Sequence, residues 1–287
     1  MGHAGTLDPF ATGLLLLAWG RATRLLPFLA AGEKTYAATL QLGVTTHSYD
    51  MTGNVVRRDD SPLDEDAIRA AGARFIGALE QRAPAVSAIK VGGTPLHERV
   101  RRGEDVEPPM RSVHVSALSI GRVDLVARTV DFAVTCSAGT YVRSLGHDWG
   151  EALGVGGALL ALRRLAIGLQ PVAGAIPTTD LLDRPEGSIP EWNERLIVAG
   201  LTPEQALVAL PGLTLDAAEA RGVGTGRAPS RRRALDAGLA PGVAAFRLLD
   251  GDGALLGVGA LDATAGTAPD EPFDLRLVWA VHEGSAK

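Results

Sequence analysis

The chain has 287 residues and a formal net charge of −5, with 46% hydrophobic and 21% charged residues, a balance that excludes disorder along its whole length. Its longest strongly apolar run, Gly13 to Gly20, falls far short of the roughly 20 residues a bilayer-crossing helix needs, and no basic flank with an apolar core marks a signal peptide, so a cytoplasmic protein without membrane contact is expected. One cysteine, Cys136, excludes an internal disulfide and any multi-thiolate metal site, while the six histidines form no short-spaced ligand pair, so no metal is expected.

In chain order, the first element is a loop. Gly2-His3-Ala4-Gly5-Thr6-Leu7-Asp8-Pro9-Phe10-Ala11-Thr12-Gly13 is too rich in glycine for regular structure, and Pro9 biases Asp8 toward an extended conformation, which displays a carboxylate. On residue types alone an Asp-Pro in such a loop reads as a turn. Alternation of Tyr36, Ala38, Leu40 and Leu42 predicts a strand from Lys34, with those four on one face. Ser61-Pro62-Leu63-Asp64 caps a segment in which Ile68, Phe75, Ile76 and Leu79 keep helical spacing, which predicts a helix. Val130, Phe132, Val134 and Cys136 define a second strand, Ser137-Ala138-Gly139-Thr140 a turn, and Val142, Leu145, Trp149 and Leu153 the stripe of a helix. Pro177, Pro185, Gly187 and Pro190 predict a linker between about residues 178 and 202, followed by a capping box at Thr202-Pro203-Glu204-Gln205. Residues 244–258 read as a β-hairpin turning at Asp250-Gly251-Asp252-Gly253, with a further strand at 275–281. Strands and helices interleave without a regular βαβ period, so the expected class is α+β, a mixed, mostly antiparallel sheet flanked by helices.

Charge is unevenly spread. Residues 1–180 carry 18 Lys+Arg and 18 Asp+Glu, residues 181–287 carry 10 and 15, so the acidic excess belongs to the C-terminal third. A polyanionic partner would have to be met by local clusters: Arg99, Arg101 and Arg102, the pair Arg163-Arg164, or Arg227 with Arg231, Arg232 and Arg233.

The opening loop resembles the catalytic loop of the TruB-type tRNA pseudouridine synthases, whose pattern GH-x-G-x-LDP-x-ATG-x-L is met from Gly2 to Leu14. Further blocks follow in family order: Gly20-Arg21-Ala22-Thr23, Lys34-Thr35-Tyr36, Pro84 to Lys90, Gly139-Thr140-Tyr141-Val142-Arg143 and Leu162-Arg163-Arg164-Leu165. The resemblance implies a pseudouridine synthase domain over residues 1–180 and a small β-rich, PUA-like RNA-binding domain over 200–287. It implies isomerisation of the T-loop uridine at position 55 of tRNA, a redox-neutral reaction with no cofactor, and a protein expected to be a monomer that grips the T-arm.

The resemblance also implies roles. Asp8 would be the catalytic carboxylate, acting as nucleophile at C1′ or as base at C2′, and Arg143 the guanidinium that keeps it ionised and aimed. Tyr36 would stack on the uracil and help remove the C5 proton, although its place on an apolar strand face also suits a core residue. Tyr141 and Leu162 would pack around the base, and His3 would approach the flipped nucleotide. Lys90 and Arg163-Arg164 would contact backbone phosphate. Two features depart from the pattern. His97 stands where the family carries tyrosine, and the family's pattern extends upstream of the loop with an early strand bearing a Lys-Pro pair, for which a start codon placed too late is the expected explanation. The competing expectation is a catalytically impaired tRNA-binding, chaperone-like protein. Glycoside hydrolysis ranks third, because it requires two cooperating carboxylates and no second loop carboxylate stands out.

Overall fold

The computed structural model describes residues 1–84, 87, 90–91, 94–95, 99, 102, 104, 108–182, 194, 196–229, 231–239, 245–261 and 275–280. The chain divides into two compact units, one made of Gly5–Leu15 and Ala31–Ala173, the other of Met1–Ala4, Leu16–Ala30 and Gly174–Lys287.

The first unit is built on a mixed sheet of seven strands: β1 (Thr12–Gly13), β2 (Lys34–Leu42), β3 (Gly77–Arg82), β4 (Met110–Asp124), β5 (Thr129–Cys136), β6 (Gly157–Ile167) and β7 (Gln170–Pro171). Their order is β7-β6-β2-β5-β4-β3, every pair in it antiparallel, with the short β1 lying parallel to β6. The alternation read along β2 and β5 puts Ala38, Leu40, Leu42, Val130, Phe132, Val134 and Cys136 on the face that meets the helices, where they form one core. Two helices cover that face, α1 (Glu65–Ala73) and α2 (Val142–Ala152). Trp149 on α2 is fully buried against Phe132 and Phe75, and its indole N–H donates to the Ile68 carbonyl of α1 at 3.1 Å, which satisfies the one polar atom such a ring brings into a core.

α1 begins as its cap directs, with the Asp64 carboxylate accepting from the Ala67 amide at 2.8 Å. It ends earlier than the periodicity predicts. Gly77 takes φ +107, the chain turns, and Leu79 belongs to β3 rather than to the helix; an apolar residue every third or fourth position spans a helix–turn–strand junction as readily as a longer helix.

α2 sits unusually close to β6. A Cβ placed on Gly150 would come within 2.1 Å of the Gly157 amide nitrogen, and one on Gly146, a turn earlier, within 2.9 Å of Leu159. Larger side chains there would lift the helix off the sheet.

The second unit contains a four-stranded sheet. Gly212–Thr214 runs parallel to Ala245–Leu249, which continues through antiparallel pairings to Leu255–Leu261 and Leu275–Ala280. The expected hairpin is present, its turn organised by the Asp250 carboxylate, which accepts from the amides of Asp252 and Ala254. The capping box at Thr202 is also formed, on the short helix Pro203–Ala206. Phe246, Leu248, Leu213 and Val223 form one buried cluster and Leu25, Leu207, Leu255 and Val258 another. Gly2–His3 pairs with Leu17–Ala18 in the same unit. Residues 183–193 and 195 of the expected linker, with Pro185, Gly187 and Pro190, lie outside the described residues, as does His97. Among the described residues no helix is long and apolar enough to cross a membrane.

Candidate active site

The loop that carries Asp8 is fixed at both ends. Ala11 donates its amide to the Asp8 carbonyl at 2.9 Å, closing a turn over Pro9, and Leu14 donates to the Arg164 carbonyl at 2.9 Å. Gly13, at φ +101, lies so close to β6 that a Cβ would come within 2.2 Å of the Arg164 carbonyl oxygen; only glycine fits. The glycines and Pro9 thus hold an irregular loop in one shape against the sheet.

Arg143 comes from the first turn of α2. A buried glutamine, Gln81 on β3, braces that helix start by accepting from the Tyr141 amide at 2.7 Å and donating to the Tyr141 carbonyl at 3.0 Å. The Ser144 hydroxyl adds a bond to the Arg82 carbonyl at 2.7 Å. A cation at a helix N-terminus opposes the helix dipole, so Arg143 needs anionic partners. It has two.

Its Nε donates to Asp8 Oδ2 at 2.9 Å and its Nη2 to Asp8 Oδ1 at 2.7 Å, a bidentate fork. Its Nη1 donates to the Ser48 carbonyl at 2.8 Å and reaches Asp50 Oδ2 at 3.4 Å. The Asp8 side chain keeps 26% of its surface, whereas Arg143 keeps 4% and Asp50 6%. One cation is therefore clamped between an acid open to solvent and an acid closed off from it. Of the two acids, Asp8 is the one open to solvent.

Asp50 was not singled out by the sequence. Its other oxygen accepts from the Thr52 amide at 3.0 Å, and backbone bonds from Met51 to Leu159 and from Leu159 to Tyr49 stitch this turn to β6. The signal available was Asp-Met-Thr-Gly, which reads as an ordinary side-chain-capped turn. What makes Asp50 part of the site is a contact across 93 residues of chain.

Tyr36 packs against the core, half-buried, as its place on an apolar strand face suggests, and lies directly opposite Arg164 in the β2–β6 register. Burial pushes its phenol above the usual range, while the charge of the nearby Arg164 guanidinium pulls it back. Tyr141, at the mouth of α2, is half-buried and likewise raised by burial, with Arg111 and Arg143 nearby. Leu162 is 6% exposed, within the core opposite Ala38. His3 is exposed in the second unit, opposite Leu17. Lys90 has its backbone in a two-residue strand paired with Thr94–Pro95, and its side chain lies outside the description.

One expectation is corrected. Arg163 and Arg164 do not act as a pair at phosphate: Arg163 is exposed, but Arg164 is 1% exposed and turned inward to the carbonyl oxygens of the Asp8 loop. Consecutive strand residues face opposite sides, so a basic dipeptide on a strand can offer solvent only one of its two charges.

Residues 1–142 match the family described as TruB family pseudouridylate synthase, N-terminal domain. A relative from Synechococcus sp. (strain WH7803), named tRNA pseudouridine synthase B, is 39% identical over 280 residues, covering 96% of this chain and 89% of its own. The chain belongs to the TruB family of pseudouridine synthases. A relative of the same name from Cupriavidus metallidurans is 40% identical over 259 residues, covering 90% of this chain and 80% of its own. One from Burkholderia mallei is 45% identical over 218 residues, covering 76% and 69%. Among solved structures, the Cbf5–Nop10–Gar1 complex aligns with a TM-score of 0.68 at 24% identity, over 97% of this chain and 76% of that one. At that identity the likeness speaks for the fold, a mixed α+β sheet flanked by helices. Pseudouridine synthases are isomerases, and the TruB pattern of the opening loop places this chain among them.

Proposed function

We propose that this chain isomerises the T-loop uridine at position 55 of tRNA to pseudouridine, with Asp8 as the reacting carboxylate and Arg143 as the group that holds it. The reaction breaks the C1′–N1 bond, turns the uracil, forms a C1′–C5 bond and releases the C5 proton, so no electrons enter or leave. The one observation that carries the reading is the forked Asp8–Arg143 pair with its unequal exposure: the acid is reachable and the cation is not. The fork fixes the direction of the carboxylate oxygens, and either attack at C1′ or proton removal at C2′ requires a carboxylate so aimed.

In this reading the uridine is extruded from its loop, and the Tyr36 ring stacks on the uracil and takes part in removing the C5 proton. Tyr141 and Leu162 shape the pocket wall, while His3 and Lys90 contact the RNA. The domain reading is a catalytic domain over 1–180 and a PUA-like module over 200–287. RNA contact by the module rests on Arg227, which is exposed, and on Arg231 and Arg232; Arg233 is engaged with Glu219 and the Thr214 carbonyl. The enzyme acts as a cytoplasmic monomer on the T-arm.

Tritium release from a C5-labelled T-arm transcript tests this. The wild type should release tritium and Asp8→Asn should not, while RNA affinity stays within about threefold, because only the reacting group changes. Equal binding with no release from either protein would favour the RNA-binding, non-catalytic alternative.

A further inference from the structure

Arg164 stands out as a buried cation whose described partners are all neutral. Its Nε donates to the Leu14 carbonyl at 2.7 Å, its Nη2 to Gly5 at 3.1 Å and its Nη1 to Thr6 at 3.4 Å. Burying a guanidinium without a carboxylate is costly, and an apolar residue of similar volume would serve a strand interior better. The arrangement has a geometric logic instead. Gly5 and Thr6 lie on the limb entering the Asp8 loop and Leu14 on the limb leaving it, so one rigid, planar group ties both limbs to a fixed point on β6.

Tyr36 adds the second half. The β2–β6 register places it directly opposite Arg164, so the strand position that fixes the Asp8 loop also faces the phenol. Nearby, buried Lys34 has its amine held by the Gly32 carbonyl at 2.6 Å and its pKa lowered, by burial first and by the Arg164 charge second.

We propose that Arg164 is a positioning residue for the reaction, its guanidinium fixing the Asp8 loop in one preset relation to Tyr36 before RNA arrives. The proposal rests on the reading of Asp8 as the reacting carboxylate. It separates binding from chemistry. Arg164 is buried away from RNA, so its loss should leave affinity alone and lower the rate of the bound complex.

The test uses the full chain as Arg164→Lys and Arg164→Met, with single-turnover rates measured across enzyme concentration on a T-arm transcript and Asp8→Asn as control. Circular dichroism establishes folding. Lysine keeps the charge but cannot span three carbonyls, so the saturating rate should fall on the order of 10²-fold, as for an ångström-scale misplacement, while the half-saturating concentration moves less than about threefold. Tyr36→Phe combined with Arg164→Lys should lose less than the product of the two single losses, because the two residues face each other across the β2–β6 register and serve one shared arrangement. A near-normal saturating rate in Arg164→Lys, a loss confined to affinity, or strictly multiplicative losses with Tyr36→Phe would each overturn the proposal. Failure of both Arg164 variants to fold would also overturn it, by making the residue a requirement of the fold alone. An active Asp8→Asn enzyme would instead count against the reading of Asp8, which keeps the two failures distinct.

Discussion

At the scale of single residues, the site is an arginine shared by two aspartates with different duties. Arg143 can serve Asp8 through two of its nitrogens only because the third is occupied by the Ser48 carbonyl and Asp50, which stop the guanidinium from rotating. Arg143→Lys keeps a positive charge but replaces the fork with a single point donor, so turnover should fall by on the order of 10²-fold or more with RNA binding little changed. A rate within a few-fold of wild type would remove Arg143 from the site. Asp50→Asn is milder in kind, since the amide oxygen can still accept from Thr52 and Ser48 still holds Arg143. It removes one of two counter-charges from a buried cation, and a rate loss of about tenfold, smaller than for Arg143→Lys, is expected in the same assay.

At the scale of elements, what the sequence made legible is what local pattern encodes. Period-two alternation found β2 and β5, and the stripe from Val142 to Leu153 found α2, because each segment buries one continuous face. The pattern failed at the end of α1, where Phe75 and Ile76 keep helical spacing across a turn made by Gly77. It was also blind to Asp50, Gln81 and the inward turn of Arg164, whose partners are remote in the chain: Gln81 meets Tyr141 across 60 residues and Arg164 meets Leu14 across 150. Recognising the loop motif supplied Asp8 and Arg143; periodicity alone did not. α2 also carries a liability that no pattern shows. Burial and the neighbouring Glu151 raise the Asp148 carboxyl from 3.8 to about 6. The folded state therefore holds its proton more tightly than the unfolded chain, so stability declines as pH rises from about 4 to about 6, and the full deficit persists above that. Asp148→Asn should raise the melting temperature at pH 7.5 by roughly 2–4 °C, and the gain should vanish near pH 4. A gain that is independent of pH would mean that the charge is not its cause.

At the scale of the whole molecule, the question is how a protein of net charge −5 holds a polyanion. The acidic excess lies beyond residue 180, while the charges before it balance. Among the described residues, exposed arginines around the site include Arg163, which touches Thr12 at the foot of the Asp8 loop, and Arg111, which lies near Tyr141. Arg143 and Arg164 are buried and unavailable to phosphate. Attraction to RNA is thus local, carried by a few surface cations against an unfavourable overall charge, and such contacts act by releasing counterions. With about four phosphates neutralised, raising salt from 50 to 200 mM should weaken T-arm binding by on the order of 50-fold. Arg163→Ala should flatten the slope of log Kd against log salt by roughly one contact's share, about 0.7, while leaving the saturating single-turnover rate near wild type. Fluorescence anisotropy with a labelled T-arm across the salt series measures both, and a flat response in the wild type would show that the RNA is held by shape and stacking rather than through its backbone charge.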